Sequence, residues 1–405
     1  MKNIFNFNLI TPKIAVVFTV GLYIFLACIW ALPFLGFGNF NFLDALLEGT
    51  SCLTGTGIIF NGEMAKGLIL WRSLGSWLGG ILFILLFVAV LPRVIASPIF
   101  IFNMNLSGTT NWRLLPDLTK LCKKLFLIYC SFTIFVFTGL AIFGTDIFSA
   151  FNYSLAIVST SKFIVGEDVN NFAKIFMALA MLVAGLNYTV YFCFMQSGIK
   201  KILHDAEIFC YFLLTTAAVI LLCGDLGFLD AFCQTCSFVS SSGTNFVQNN
   251  SGFCQMVLAI LLLVGGCAGS ASGGLKICRL VLLFKQFVSD IKAVFHPNII
   301  SSVNYNGKRV VDSVLKKVIF FFCLYLLTHL GIALCLSICD LSFEKAIFAA
   351  LSCVANCGGF LSENILQISD FGKFVMMLGM LLGRLELFMI FLFFLPEFWQ
   401  SKGKW

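Results

Sequence analysis

Four stretches of this chain repeat one spacing: FLDALLEGTSCLTGTG (42–57), FSAFNYSLAIVSTSK (148–162), FLDAFCQTCSFVSSSG (228–243) and FEKAIFAALSCVANCG (343–358). An alanine opens each (Ala45, Ala150, Ala231, Ala346), and twelve residues later stands Gly57, Lys162, Gly243 or Gly358. The chemistry lies in the last four residues of each. Three sets are rich in hydroxyls: Thr54, Gly55, Thr56 and Gly57; Ser159, Thr160, Ser161 and Lys162; Ser240, Ser241, Ser242 and Gly243. The fourth set is Ala355, Asn356, Cys357 and Gly358. Backbone carbonyls in such strands, with hydroxyl acceptors beside them, can replace a cation's hydration shell. Glycine suits the turn because it takes φ > 0 without a Cβ clash. For any single strand the bland alternative is that Ser and Thr merely end a short helix. Four copies at one spacing favour a pore.

The elements that carry these residues belong in a membrane. Of 405 residues, 60% are hydrophobic and 11% charged, with mean hydropathy +0.99, against about 25% charged in a soluble domain. Apolar runs near 13–35, 70–91, 125–144, 172–195, 208–223, 254–268, 318–339 and 372–396 predict eight spanning helices, most near the roughly 20 residues required. The first run reads as a retained helix, not a signal peptide. Between each odd and even helix lies one of the four stretches, too short to span and too apolar for an ordinary loop. Each predicts a short helix entering the membrane and an extended return, which is tolerated at that depth only around a cavity or within protein. The fold expected is therefore all-α and polytopic. Four units of helix, re-entrant pore helix and helix surround a central pore, at roughly 13–92, 120–196, 206–286 and 315–397, within one domain spanning 1–405.

Charge sets the orientation. With both termini cytoplasmic, the inner loops and tails hold 19 of the 26 Lys and Arg and the outer side 6, as the positive-inside rule asks. The net charge of +7 then faces anionic lipid, and nucleic-acid binding has no place. Most of the 17 cysteines lie in apolar helices, where a thiol acts as a small hydrophobe. Cys233 and Cys236 form a CxxC without a second ligand pair, so a zinc site is disfavoured.

Two further features lie at membrane depth. The run GGCAGSASGG (265–274) interrupts the sixth helix with Gly265, Gly266, Gly269, Ser270, Ser272, Gly273 and Gly274, and glycine costs a helix about 0.8–1 kcal/mol relative to alanine. Small-residue helix packing is the alternative. Arg384 falls about twelve residues into the last helix; a charge there costs on the order of 2.5–3.5 kcal/mol and calls for an interior partner. Glu386, two positions on, points elsewhere, which leaves the 265–274 carbonyls or a static ion pair.

Beside these motifs, WRSLGSWLGG (71–80), VGGCAGSASGGLKICRLVLLFKQ (264–286), HPN (296–298) and MLLGRLELF (380–388) resemble the Trk/Ktr/HKT superfamily of potassium transporters, and within it the bacterial TrkH-type membrane subunits. Longer members carry a further helical pair ahead of the first repeat. The resemblance implies K⁺ uptake across a bacterial plasma (inner) membrane, with K⁺ at a filter formed by the four strands. It makes the 265–274 loop, with Lys276, the gate held by Arg384. It further implies a homodimer over a cytoplasmic ring of nucleotide-binding, TrkA-type regulatory subunits. No cofactor and no enzyme activity is expected of this chain, which has no phosphate-binding loop of its own. Gly57 is similar to potassium-selective relatives.

Two other readings compete. An intramembrane serine hydrolase would use Ser272 with His329, but the G-x-S-x-G elbow is missing. A poorly conducting or regulatory pore is suggested by Lys162, which replaces a filter glycine. A unit charge repels another 4 Å away by about 4 kcal/mol at an effective dielectric of 20. The lysine either folds into the filter or snorkels into the outer vestibule toward Glu167 and Asp168. The vestibule is favoured because the outer side carries 12 of the 19 acidic residues.

Overall fold

The computed structural model describes residues 12–38, 40–58, 64–89, 118–166, 169–188, 190–191, 205–247, 251–296, 302–339, 341–361, 368–394, 396 and 399. The helices follow the repeat. α1 (Pro12–Phe37), α2 (Phe42–Thr54) and α3 (Lys66–Ala89) form the first unit, and α4 (Leu118–Ile142), α5 (Ile147–Val158) and α6 (Asn171–Ala184) the second. The third comprises α7 (Ala206–Leu226), α8 (Phe228–Val239), α9 (Gly252–Val264) and α10 (Ile277–Phe295). A small hairpin, β1 (Asn304–Tyr305) with β2 (Lys308–Arg309), leads to α11 (Asp312–Ile338), α12 (Phe343–Val354), α13 (Asp370–Arg384) and α14 (Leu387–Phe394).

Local chemistry starts these helices. The Asp146 carboxylate accepts from the N–H groups of Phe148 and Ser149 at α5, and Asn170 and Ser251 cap α6 and α9 in the same way, satisfying donors that have no partner inside the helix. The alanine that opens each repeat closes the first turn of its short helix. Its N–H donates to Asn41 (2.9 Å), Asp146 (2.7 Å), Gly227 (3.0 Å) and Ser342 (2.9 Å) in the four copies, and all four alanines are fully buried. At 12 or 13 residues the short helices reach only about 18–20 Å, well under the roughly 30 Å hydrocarbon core.

Packing closes the four units into a ring. α3 lies on α5, α6 on α8, α9 on α12, and α13 returns to α2. Each unit's third helix thus supports the next unit's short helix, and the order around the ring is 1-2-3-4. The polarity is that of a membrane protein. Phe18, Phe25, Leu127, Ile134, Ile220 and Leu327 are exposed on the outer faces, whereas Glu48, Ser51, Thr54, Ser240, Ser241 and Ser242 are buried. An apolar exterior on this scale suits lipid.

The segmentation differs in part from the eight spans expected, of which only the sixth was expected to be interrupted. Among the described residues five helices are long and apolar enough to cross: Lys13–Phe37, Lys66–Val88, Lys120–Ile142, Ala206–Leu226 and Asp312–Ile338. The expected runs 172–195, 254–268 and 372–396 are interrupted. α6 ends at Ala184, α9 at Val264, and α13 at Arg384 before α14 resumes at Leu387. Only the second break was legible as a glycine run. The third occurs at Glu386, which has φ +58° and cannot continue a right-handed helix.

Candidate functional site

Each short helix ends in the same turn. The residue ten places after the opening alanine adopts left-handed φ: Gly55 (+80°), Thr160 (+54°), Ser241 (+58°) and Asn356 (+51°). Its N–H donates three residues back, to Cys52, Ile157, Phe238 or Cys353, at 3.0–3.2 Å. In units 2, 3 and 4 the next N–H (Ser161, Ser242, Cys357) donates five residues back at 2.9 Å. This pair of bonds is the Schellman helix terminus. The spacing argument therefore picked the wrong position for the turn. Gly57 and Gly243 have φ +69°, but Lys162 and Gly358 do not adopt positive φ. The left-handed residue common to all four units is two places earlier, where three units use a side-chain-bearing residue.

These residues put their side chains to use. Ser241 Oγ accepts from the Gly273 N–H at 2.7 Å, Asn356 Nδ2 donates to the Met380 carbonyl at 2.8 Å, and Thr160 Oγ1 donates to the Ser159 carbonyl at 2.8 Å. The hydroxyls of Thr54, Ser159 and Ser240 turn back onto Thr50, Leu155 and Cys236 at 2.8–2.9 Å. They finish their own helices, so the strands' carbonyls are the main candidate ligands.

The four strands meet. A Cβ on Gly57 of strand 1 would stand 2.7 Å from Lys162 Cβ of strand 2, and one on Gly358 would collide with the Thr56 carbonyl. Ser242 Oγ donates to the Ser161 carbonyl at 2.9 Å, joining strands 3 and 2. A Cβ on Gly243 would lie 2.5 Å from Cys357 Sγ, where strands 3 and 4 touch. The Lys162 ammonium donates to the carbonyls of Gly358 (2.7 Å), the last residue of strand 4, and Leu361 (3.1 Å), three residues beyond it. Glu167 and Asp168 lie outside the described residues.

Beneath the strands, residues 265–276 form a loop closed at its base by Leu275 N–H to Leu263, Lys276 N–H to Val264 and Ile277 N–H to Gly266 (2.9–3.2 Å). Positive φ at Gly265, Gly269, Gly274 and Lys276 makes the bends. Gly273 lies so close to the Ala355 carbonyl that a Cβ there would overlap it. Three units hold this loop. Arg384 Nη1 donates to the Ala271 carbonyl at 2.7 Å, the carbonyl partner expected for that charge. Gly185 O accepts from Cys267 N–H at 3.0 Å, and the buried Glu207 carboxylate accepts from Ala268 N–H at 2.6 Å. Ser270 and Ser272 share a hydroxyl contact of 2.5 Å. Lys276 donates to the carbonyl of Ser272, and to its Oγ at 3.1 Å. Glu386 does point away from Arg384 and pairs with Arg279 at 2.7 Å.

Several of these residues were not singled out from sequence. Glu207 is one; an acid in the first turn of an apolar helix was its only signal. The clamp serines are others. Ser51 Oγ accepts from Ile58 N–H (2.7 Å), Ser237 Oγ donates to Thr244 O (2.7 Å), and Ser352 Oγ accepts from Phe360 N–H (3.3 Å). Each precedes its strand's first residue by three places, where unit 2 has Ala156. The hydrolase pairing does not form, because His329 Nδ1 bonds the Tyr325 carbonyl of its own helix at 2.8 Å. Cys233 packs in the core with its thiol toward the Lys174 carbonyl.

Comparison with known proteins finds relatives in sequence and in fold. Residues 226–401 match the family model described as TrkH, cation transport protein. The chain is 27% identical over 406 residues to the Trk system potassium uptake protein TrkH of Escherichia coli (strain K12), covering 93% of this chain and 84% of that one. It is 28% identical over 390 residues to the TrkG protein of the same organism, covering 90% and 80%. The crystal structure of the potassium transporter TrkH from Vibrio parahaemolyticus superimposes with a TM-score of 0.84 at 26% identity, over 96% of this chain and 86% of that one. In sequence and in fold, over nearly its whole length, the chain is similar to TrkH-type potassium uptake proteins.

Proposed function

We propose that this protein takes up K⁺ across the plasma membrane, through a filter formed by residues 54–57, 159–162, 240–243 and 355–358. The observation that carries the reading is the left-handed turn at the same place in all four units, completed as a Schellman terminus in units 2 to 4, which brings four short strands into contact around a ring. An ion entering from outside exchanges water for strand carbonyls held in place by their helix termini and, in units 1, 3 and 4, by the serine clamps. The inward pull on a monovalent cation is about 2.3 kcal/mol per 100 mV of membrane potential.

The 265–276 loop is the gate. It lies directly under strands 3 and 4, and Lys276 and Arg384 add positive charge beside it, opposing a cation that has passed the filter. Opening requires the Arg384–Ala271 and Glu207–Ala268 contacts to yield together. The excess of cytoplasmic Lys and Arg supports an orientation with both termini inside. The cationic segment 276–317 is the surface for a nucleotide-binding regulatory ring, beneath a homodimer of this chain.

The test is growth of a bacterial host lacking its own K⁺ uptake systems, at low external K⁺. Rescue by the full chain, lost in Gly243→Ser, is the expected result. Rescue that is equal with Na⁺ as the limiting ion, or no rescue at normal protein abundance, would overturn the reading.

A further inference from the structure

The ring order makes the position of Lys162 unusual. Strand 2 has strands 1 and 3 as neighbours, yet the Lys162 ammonium is bonded to Gly358 of strand 4 and to Leu361 just beyond it. A side chain that joins opposite members of a four-strand ring crosses the mouth of that ring. Its stem runs close over strand 4, since a Cβ on Gly358 would be 2.9 Å from Lys162 Cδ. The ammonium thus takes a carbonyl of a filter residue as its acceptor. A monovalent cation with the same charge and the same preference for carbonyl oxygen would compete for that acceptor.

A second place for the same side chain lies behind strand 2. Lys162 also lines a cavity of about 330 Å³ between α3, α5 and residues 161–164, together with Ser73, Ser76, Ser149 and Asn152. Asn152 is 5% exposed, and its Oδ1 is buried without a hydrogen-bond partner, a costly state for a carbonyl oxygen. Arg72 is the other cation on the cavity wall. Its charge is met by Glu48 at 3.0 Å, and it donates to the Ile58 carbonyl at 2.8 Å. A cavity of mixed polar and apolar lining, with the buried Asn152 Oδ1 an unused acceptor in its wall, adjoins the stem of a lysine whose head lies over the filter.

We propose that Lys162 is a tethered cation that competes with K⁺ for the outermost filter position, and that the cavity at Asn152 is the seat it takes when an ion displaces it. This rests on the reading of the four strands as an ion filter. The lysine then sets the external K⁺ concentration at which uptake begins. Transport requires the ammonium to exchange the Gly358 carbonyl for Asn152 Oδ1, so Asn152 is a positioning residue that acts only through Lys162.

The experiment measures radioactive rubidium uptake against external Rb⁺ in cells of the K⁺-uptake-deficient host producing the full chain, normalised to protein abundance. Lys162→Met, which keeps the stem and removes the charge, is expected to lower the apparent KM about tenfold with a smaller change in maximal rate. Lys162→Gln serves if the methionine variant is not produced. Asn152→Leu, which removes the second seat, is expected to raise KM several-fold. In the Lys162→Met background it should change nothing, because residues acting through one contact are not additive. An unchanged or higher KM in Lys162→Met, with uptake intact, overturns the tethered-cation proposal and leaves the transport reading standing. An Asn152→Leu effect that persists without the lysine overturns the second seat. Absence of Rb⁺ uptake in both the native chain and Lys162→Met would remove the transport reading, and this proposal with it.

Discussion

Units 2 and 3 build the same turn and put it to different ends. Both short helices stop in a Schellman terminus with a non-glycine residue at left-handed φ, Thr160 in one and Ser241 in the other. In unit 3 that side chain reaches down to the gate loop through Gly273, and Ser237 clamps the outgoing strand to Thr244. In unit 2 the Thr160 hydroxyl bonds the preceding carbonyl, and the clamp position is Ala156. Strand 2 is therefore tied neither to the gate below nor to its own helix by the device unit 3 uses, and a cavity opens behind it where Lys162 has room to move. One backbone motif gives a strand bonded to the 265–276 loop in one unit and a lysine-bearing strand backed by a cavity in the other.

The largest effect expected comes from giving strand 3 a side chain where strand 2 already has one. Gly243 has φ +69°, and a Cβ there meets Cys357 Sγ at 2.5 Å and Gly359 N at 2.7 Å. Gly243→Ser should reduce Rb⁺ uptake more than tenfold and weaken discrimination against Na⁺ in competition assays. Uptake and selectivity that match the native chain would show that strands 2 and 3 tolerate side chains equally, and the asymmetry would lose its meaning.

Next in size is the gate. Arg384→Gln removes the charge that holds the Ala271 carbonyl, and a hydrogen bond to a charged group contributes about 1.5–3 kcal/mol. Basal uptake should rise several-fold at unchanged abundance. A fall in step with abundance would instead mark Arg384 as a folding residue and leave unit 3's link to the loop without a gating role.

A smaller effect isolates that link. Ser241→Ala removes the bond to Gly273 and should raise basal uptake about two- to threefold. The matching Thr160→Ala in unit 2 should leave basal uptake alone, because its hydroxyl makes no contact with the loop. Equal responses from the two substitutions would show that the turn itself, and not the side chain beneath it, couples to the gate.

The smallest effect concerns the clamps. Ser237→Ala should destabilise the protein by about 1 kcal/mol, the net value of one buried hydrogen bond, read as a modest drop in Tm in detergent. Ala156→Ser should raise Tm slightly or leave it unchanged, since strand 2 is not arranged to use a clamp. A clear gain in stability from Ala156→Ser, together with lower uptake, would show that the looseness of strand 2 is functional.

Sequence alone determined the membrane class, the four units, the alanine that starts each short helix, and the places of the four strands, the 265–274 loop and Arg384. These depend on hydropathy, length and local spacing, and a helix and its caps are decided within a few residues of one another. The depth of Arg384 implied an interior partner, and the family resemblance pointed to the carbonyls of the 265–274 loop. What only the tertiary structure decided is where chains distant in sequence meet. The left-handed residue was misplaced because glycine was taken as its marker, whereas three units tolerate the strain at Thr160, Ser241 and Asn356. The breaks after α6 and α13 escaped detection because no glycine run announces them. The partners of Lys162 and Glu207 lie 196 and 61 residues away. Such pairings follow from closing four units into a ring, and nothing in the local pattern around Lys162 says which of the other three strands its ammonium will reach.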